Sequence, residues 1–192
     1  MSHFFAYLSR MKFIKRWGLM YSTYPENIQE HSLRVAVIAH ALALIRNEVF
    51  GGDVNPDRTA VLALYHDASE VLTGDLPTPV KYFSPEIKQA YGELEVAATQ
   101  KLLSMLPAAL QATYQTFFLP GESDREHTKL VKAADKICAY LKCVEEMGTG
   151  NREFAQAEQA LRASVEQLGL PEVEYFMTTF MPSFRLTLDD LH

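Results

Sequence analysis

Apolar residues recur three and four residues apart along most of the chain, the spacing of a buried face on an α-helix. The clearest stripe lies within residues 28–47, where Ile28, Val35 and Leu42 share a face with His31. Strand patterns are scarce. Similar stripes predict helices at about 4–13, 56–72, 85–106, 125–147, 153–168 and 172–180, with room for a short helix in 107–118. The sequence predicts an all-α protein, an irregular bundle of about seven helices.

Glycine, asparagine and proline mark several helix ends. Gly51 is expected to end the second helix, and Asn55 before Pro56 gives the third an N-cap and a proline at its first position. Gly74 is a plausible stop for the third helix. Prolines bracket residues 75–79, so this segment is predicted to be non-helical.

Length and composition fit one domain over residues 1–192. Hydrophobic residues make up 48%, enough for a sizeable core, and the net charge of −6 argues against a nucleic acid polymer or an anionic membrane as partner. Neither a signal peptide nor an apolar run of roughly 18 residues is present. Cys138 and Cys143 lie on different faces of one predicted helix and are not expected to pair. A cytoplasmic location is therefore expected.

Metal-binding residue types interrupt three of the apolar stripes. His31 lies within the second helix, His66 and Asp67 follow the apolar run 61–65, and Asp135 lies among apolar residues of a later helix. Taken alone, each is more often a core histidine or a paired acid. A buried aspartate is costly unless it is paired or binds a metal. Together, two imidazoles and two carboxylates favour a divalent cation such as Mn, Co, Mg or Zn.

The other histidines are not assigned to this site. His40 follows His31 by nine residues, which places it about 13 Å further along the helix and half a turn round. One ion cannot bind both, so His40 is interpreted as structural. His3, His127 and His192 lie at termini or loop edges and carry no predicted chemistry.

The pattern His31, His66-Asp67, Asp135 resembles the motif of the HD superfamily of metal-dependent phosphohydrolases. Within that superfamily the sequence is similar to the bacterial 5′-deoxynucleotidases of the YfbR-like group. The stretch 65–83 is the most specific part of the resemblance. The matching stretches are 3–5, 16–17, 30–33, 65–83 and 139–143.

The resemblance implies an HD-domain fold, hydrolysis of deoxyribonucleoside 5′-monophosphates and a homodimer. It implies one divalent ion held by His31, His66, Asp67 and Asp135. Glu70, one helical turn after His66 on the predicted helix, is expected to transfer a proton.

The resemblance also assigns a substrate loop and a facing wall. The proline-rigid segment 75–78 would hold substrate, with Asp75 sharing in water activation. Arg16 would orient the phosphate and Trp17 would pack against the sugar, where a bulky ring rejects a 2′-hydroxyl. Gly18 is expected to let the backbone turn so that both side chains face one pocket. The residues expected to contact substrate are Arg16, Trp17, His31, Asp67, Asp75, Leu76, Pro77, Thr78 and Asp135.

Two other functions are compatible with the sequence. Another enzyme of the superfamily would act on nucleoside triphosphates, cyclic nucleotides or guanosine tetraphosphate. It would need more cations than Arg16 and Lys81, the two that lie near the motifs. A catalytically silent nucleotide-sensing helical module would keep a structural metal. Such a closed site has no use for the additional carboxylates of Glu70 and Asp75.

Overall fold

A computed structural model describes residues 1–191 and is all-α over that range, apart from one isolated β-bridge between Lys15 and Asn27. His192 lies outside the described residues. Seven helices have nine or more residues, and the prediction of an all-α bundle is confirmed. The helices are α1 (Phe4–Leu8), α2 (Ile28–Phe50), α3 (Pro56–Tyr65), α4 (Glu70–Thr73), α5 (Thr78–Lys81), α6 (Pro85–Ser104), α7 (Ala108–Phe118), α8 (Arg125–Gly148), α9 (Ala155–Glu166) and α10 (Pro171–Thr179).

The core forms where α2, α3 and α8 pack together, with α9 and α10 on the outside of α8 and α2. Val35 and Leu42 of α2 and Ile137 and Leu141 of α8 are fully buried there. Apolar burial of this kind drives the packing of these amphipathic helices. The three central helices also carry or precede the candidate metal ligands, so the core itself brings those residues together.

The predicted helix ends are largely those observed. The side chain of Asn27 accepts hydrogen bonds from two backbone N–H groups in the first turn of α2, and Asn55 caps α3. Gly51 follows α2 in the left-handed region, with φ 68°. Gly74, with φ 74°, ends α4. Cys138 and Cys143 are buried free thiols, as expected.

Two predicted helices differ in detail. The first ends at Leu8 and continues as a 3₁₀ turn. The third ends at Tyr65, and the chain then turns through 66–69 before α4 begins. In this turn the backbone bonds run from residue i to i−3, such as Glu70 N–H to Asp67 O at 3.0 Å, and this tighter winding interrupts the helix.

The segment 75–79 is not wholly non-helical, because Thr78 begins the single-turn helix α5. The prediction was wrong here for a simple reason. Pro79 lies in the first turn of α5, where a backbone N–H has no helical partner to lose.

A buried ion pair in α8 anchors the tip of the loop that precedes α2. Lys142 and Glu146 are 2% and 1% exposed. Lys142 donates to the carboxylate of Glu146 and to the carbonyl of Tyr24. Glu146 in turn accepts hydrogen bonds from the backbone N–H of Thr23 (2.8 Å) and of Tyr24 (3.0 Å). Within residues 1–191 no helix is long and apolar enough to cross a membrane.

We expect Lys142→Met to lower the free energy of unfolding by about 3 kcal/mol, because it leaves the Glu146 carboxylate buried without its cation. Burial opposes ionisation of Glu146, but its hydrogen bonds to Lys142 and Asn151 lower its pKa to about 2. This depressed pKa makes the wild-type contribution full above pH 4.5 and lost as the pH falls towards 2. Urea unfolding at several pH values measures both effects.

Lys132→Met is the matched control, since Lys132 lies on the same helix and is exposed. Equal stability of the two variants at pH 7 would contradict a structural role for the ion pair.

Candidate active site

The four candidate metal ligands converge at the centre of the bundle. His31 comes from α2, Asp135 from α8, and His66 and Asp67 from the turn that follows α3. His31 Nε2 lies 3.0 Å from Asp135 Oδ1 and 3.6 Å from Asp67 Oδ2, and His66 Nε2 lies 3.1 Å from the same Asp67 oxygen. One ligand atom from each of His31, His66 and Asp67 lies within 4.8 Å of the others.

The donor set fits a divalent ion. His66 Nδ1 lies 2.7 Å from the carbonyl oxygen of Ala63, a contact that assigns the proton to Nδ1 and leaves Nε2 with a free lone pair. His66 Nε2 is buried and makes no well-aligned hydrogen bond among the described residues, although Asp67 Oδ2 lies 3.1 Å away. An orphaned buried imidazole nitrogen beside two carboxylates is the arrangement that a metal ion satisfies.

Charge in this cluster favours a cation. Burial would lower the pKa of His66, but Asp67 and Asp135 outweigh it and raise the pKa to about 9. Burial would raise the pKa of Asp67, yet His66, His31 and Arg16 hold it well below its ordinary value. Both aspartates therefore stay ionised at neutral pH. The field that favours a proton on His66 equally favours a metal in its place, so the two compete.

Glu70 lies beside His66 and Asp67 of the ligand cluster. The residue is 8% exposed, and its Oε2 is buried without a hydrogen-bond partner. Burial, Asp67 and Asp75 raise the pKa of Glu70 to about 9, which favours the protonated form of the carboxyl group. Glu70 lines a cavity of about 200 Å³ together with His66 and Asp67. A protonated carboxyl group in this position can take part in proton transfer.

A larger cavity of about 510 Å³ opens on the other side, above Asp135. The loop segment 16–20 and the segment 75–79 form two of its walls, and α9 forms a third. Burial raises the pKa of Asp75, which Arg16 partly offsets. The predicted substrate residues that line this cavity are Arg16, Trp17, Asp75, Leu76, Pro77, Thr78 and Asp135.

Arg16 connects the large cavity to the metal cluster. Its Nη1 donates to Asp67 Oδ2 at 3.4 Å, and its Nε donates to Glu26 Oε2 at 3.0 Å. The indole N–H of Trp17 donates to the same Glu26 oxygen at 3.1 Å. The Trp17 ring packs edge to face on Phe154, with ring centres 5.3 Å apart.

Three expectations about geometry change. Trp17, at φ 61°, makes the left-handed turn that was assigned to Gly18. Glu70 does not share a helix face with His66, because the helix ends between them, and it lines a different cavity from Asp75. His31 is fully buried, and it lines neither cavity.

Sequence reasoning missed two parts of the site. One is the wall formed by α9, whose Ala157, Ala160, Leu161 and Ser164 line the large cavity. Small residues three and four positions apart were a signal for such a helix face. The other is Glu26, a loop acid that no sequence pattern distinguishes.

A family model for YfbR-like 5′-deoxynucleotidases matches residues 3–184. The chain belongs to this family. The 5′-deoxynucleotidase of Vibrio parahaemolyticus is 58% identical over 190 residues, which cover 99% of this chain and 98% of that protein. The 5′-deoxynucleotidase YfbR of Escherichia coli is 54% identical, covering 99% and 96%. The YfbR-like resemblance inferred from the motifs is confirmed.

Solved structures of similar proteins confirm the HD-domain fold. An HD-domain phosphohydrolase from Listeria innocua has a TM-score of 0.82 at 27% identity, covering 95% of this chain and 88% of that one. A cyanophage S-2L HD phosphohydrolase, bound to dA and one catalytic Zn²⁺ ion, has a TM-score of 0.64 at 23% identity, covering 95% and 96%. At 23% identity, the similarity to the cyanophage protein shows the fold of this YfbR-like chain and nothing more.

We expect His66→Ala to abolish stoichiometric metal binding, because it leaves three ligands and removes the orphaned nitrogen. Metal analysis of the purified variant after dialysis measures the loss. The matched control is His40→Ala, since His40 lies at the surface, 3.8 Å from Asp57. Full metal occupancy in His66→Ala would remove this residue from the site.

Proposed function

We propose that this protein is a metal-dependent phosphomonoesterase that hydrolyses deoxyribonucleoside 5′-monophosphates to deoxyribonucleosides and phosphate. The observation that carries the proposal is the position of Arg16. Its guanidinium group reaches Asp67 of the ligand cluster at 3.4 Å and also lines the cavity of about 510 Å³. A phosphate in that cavity could therefore contact both the guanidinium group and an ion held by the cluster. Curated relatives that are 53–58% identical over nearly the whole chain carry the name 5′-deoxynucleotidase.

A monophosphate fits the cationic groups of this cavity better than a substrate with several phosphates. Arg16 and Lys136 are the cationic side chains among the described residues that line it, and Lys136 donates to Ser164 at 2.8 Å. Lys81 is bound to Glu95 at 2.9 Å and does not line the cavity. Nucleoside triphosphates and guanosine tetraphosphate would need more cations than these two, so they and the cyclic nucleotides are only the alternative substrates.

Glu70 argues against a catalytically silent sensor. A purely structural metal site gains nothing from an additional carboxyl group that is buried, has a raised pKa and has no hydrogen-bond partner at Oε2 among the described residues. Asp75 places another acid with a raised pKa in the large cavity. Two such groups near a metal cluster suit proton transfer.

His31, His66, Asp67 and Asp135 would hold one divalent ion. When bound, such an ion supplies positive charge that polarises the phosphoryl group and makes water a better nucleophile at neutral pH. Two imidazoles and two carboxylates suit Co, Mn, Mg or Zn.

The other site residues bind and move protons. Arg16 would orient the phosphate through its fork of donors. Asp75 would share in activating the attacking water, and Glu70 would exchange the proton that must reach the leaving 5′-oxygen. Leu76, Pro77 and Thr78 would hold the nucleotide from the side of α5.

The proposal includes a cytoplasmic homodimer. The two buried free thiols are consistent with a reducing compartment. Outward-facing Leu33, Val37 and Leu44 give α2 a second apolar face that a partner subunit would cover.

Phosphate release from deoxyribonucleoside 5′-monophosphates, with each metal and after chelation, tests the proposal. We expect metal-dependent release from these substrates and much slower release from triphosphates and cyclic nucleotides. Glu70→Gln is the matched comparison, since it should keep the metal and lower turnover by roughly 10²-fold or more. Preference for a triphosphate, or turnover without metal, would contradict the proposal.

We expect Trp17→Ala to narrow the ratio of kcat/KM for dAMP to that for AMP. Packing alone rejects one extra hydroxyl by up to about 10²-fold, so removing the ring should lower this ratio by at most that factor. Arg16→Ala is the comparison variant, because it should slow both substrates alike. An unchanged ratio in Trp17→Ala would place sugar recognition elsewhere, with the segment 75–78 as the nearest candidate.

A further inference from the structure

The loop that carries Arg16 and Trp17 closes on itself at its base. Ile28 N–H donates to the carbonyl of Ile14, and Arg16 N–H donates to the carbonyl of Glu26, both at 3.0 Å. These two bonds form the bridge at Lys15 and Asn27. The closed base places Glu26 directly opposite Arg16.

One carboxylate oxygen of Glu26 holds two side chains. Glu26 Oε2 accepts from Arg16 Nε at 3.0 Å and from Trp17 Nε1 at 3.1 Å. Glu26 is 8% exposed and the Arg16 side chain is 14% exposed, so water competes little for these bonds. Charge-assisted hydrogen bonds with little solvent access are strong and directional.

The backbone of Trp17 needs such support. At φ 61° it is in the left-handed region, which a residue with a side chain adopts only when its surroundings hold it there. The ring rests on Phe154, which is fully buried and therefore fixed. Glu26 at the indole nitrogen and Phe154 at the ring thus define the orientation of the side chain.

Arg16 is also surrounded by other acids. Asp67, Asp135 and Asp75 all attract its guanidinium group. Arg16 Nη1 already donates to Asp67 Oδ2 at 3.4 Å, and Glu26 holds Nε at 3.0 Å. The guanidinium group is thus fixed between the two carboxylates, and Nη2 is the nitrogen left to face the cavity.

We propose that Glu26 is a positioning residue that fixes Arg16 and Trp17 relative to each other, so that the phosphate and the C2′ side of the sugar are read as one unit. The expected effect on the kinetics with dAMP and AMP rests on the proposed function. The structural consequence of the inference, a fixed indole, is independent of activity.

The first test uses fluorescence, since Trp17 is the only tryptophan in the chain. In Glu26→Gln the indole should emit at longer wavelength and be quenched more strongly by acrylamide, because a neutral amide oxygen holds Trp17 and Arg16 less strongly than the carboxylate does. Glu126→Gln is the matched control: Glu126 pairs with Arg46 at 2.7 Å and is half exposed. An unchanged spectrum in Glu26→Gln would overturn the inference, whether or not the protein proves to be a deoxynucleotidase.

The second test uses a double-mutant cycle on dAMP and AMP. Glu26→Gln should keep its metal, lower kcat/KM for both substrates by about tenfold and narrow the dAMP to AMP ratio. In a Trp17→Ala background it should not narrow the ratio further, because both changes act through one group. If Glu26→Gln narrowed the ratio by the same factor with and without Trp17→Ala, or if Glu26→Gln lost its metal, the inference would be overturned.

Trp17→Phe keeps the test decisive if Glu26→Gln does not fold. It retains an aromatic ring against Phe154, although a smaller one, and removes the N–H that donates to Glu26. We expect a dAMP to AMP ratio between those of wild type and Trp17→Ala. A wild-type ratio in Trp17→Phe would contradict the inference. Wild-type protein that releases no phosphate from any monophosphate would instead contradict the proposed function.

Discussion

The contact of 3.0 Å between His31 Nε2 and Asp135 Oδ1 joins the two longest helices, α2 and α8, at the floor of the large cavity. Burying the Asp67 carboxylate, whose side chain is 19% exposed, in a helical core is costly, and here the two histidines and Arg16 offset that cost. The surrounding apolar residues fix the backbones that present these groups, so the geometry of the cluster follows from the packing of α2, α3 and α8. The loop before α2, the segment after α4 and the wall of α9 then surround a centre whose position is already set.

Four acids in a small volume are given two different characters by their neighbours. Asp67 and Asp135 face imidazoles, which hold their pKa values down and keep them anionic. Glu70 and Asp75 are buried beside other carboxylates, which raises their pKa values. Their surroundings thus suit two of these carboxyl groups to hold a cation and the other two to carry a proton. The two acids with raised pKa values also line different cavities, Glu70 the smaller one and Asp75 the larger one.

Much of this fold could be predicted from the sequence, because helical periodicity and capping residues are local signals. The stripe of α2 and the caps at Asn27 and Asn55 are of this kind. The break at 66–69 could not be predicted, because a change from i−4 to i−3 bonding leaves the apolar spacing nearly intact. In the site, buried polar residues and a family motif indicated the four candidate ligands. Glu26 left no signal, because its role depends on a loop that folds back on itself.

The loop before α2 is fixed twice, by the bridge at its base and by Glu146 at its tip. Between these two points, Leu19 and Met20 line the large cavity without taking part in either attachment. Such a loop separates what must stay constant from what can vary. Relatives could diverge at these two positions and so reshape one wall of the large cavity, while Arg16 and Trp17 keep their places. The same separation would make the segment a compact target for redesigning the cavity by directed evolution.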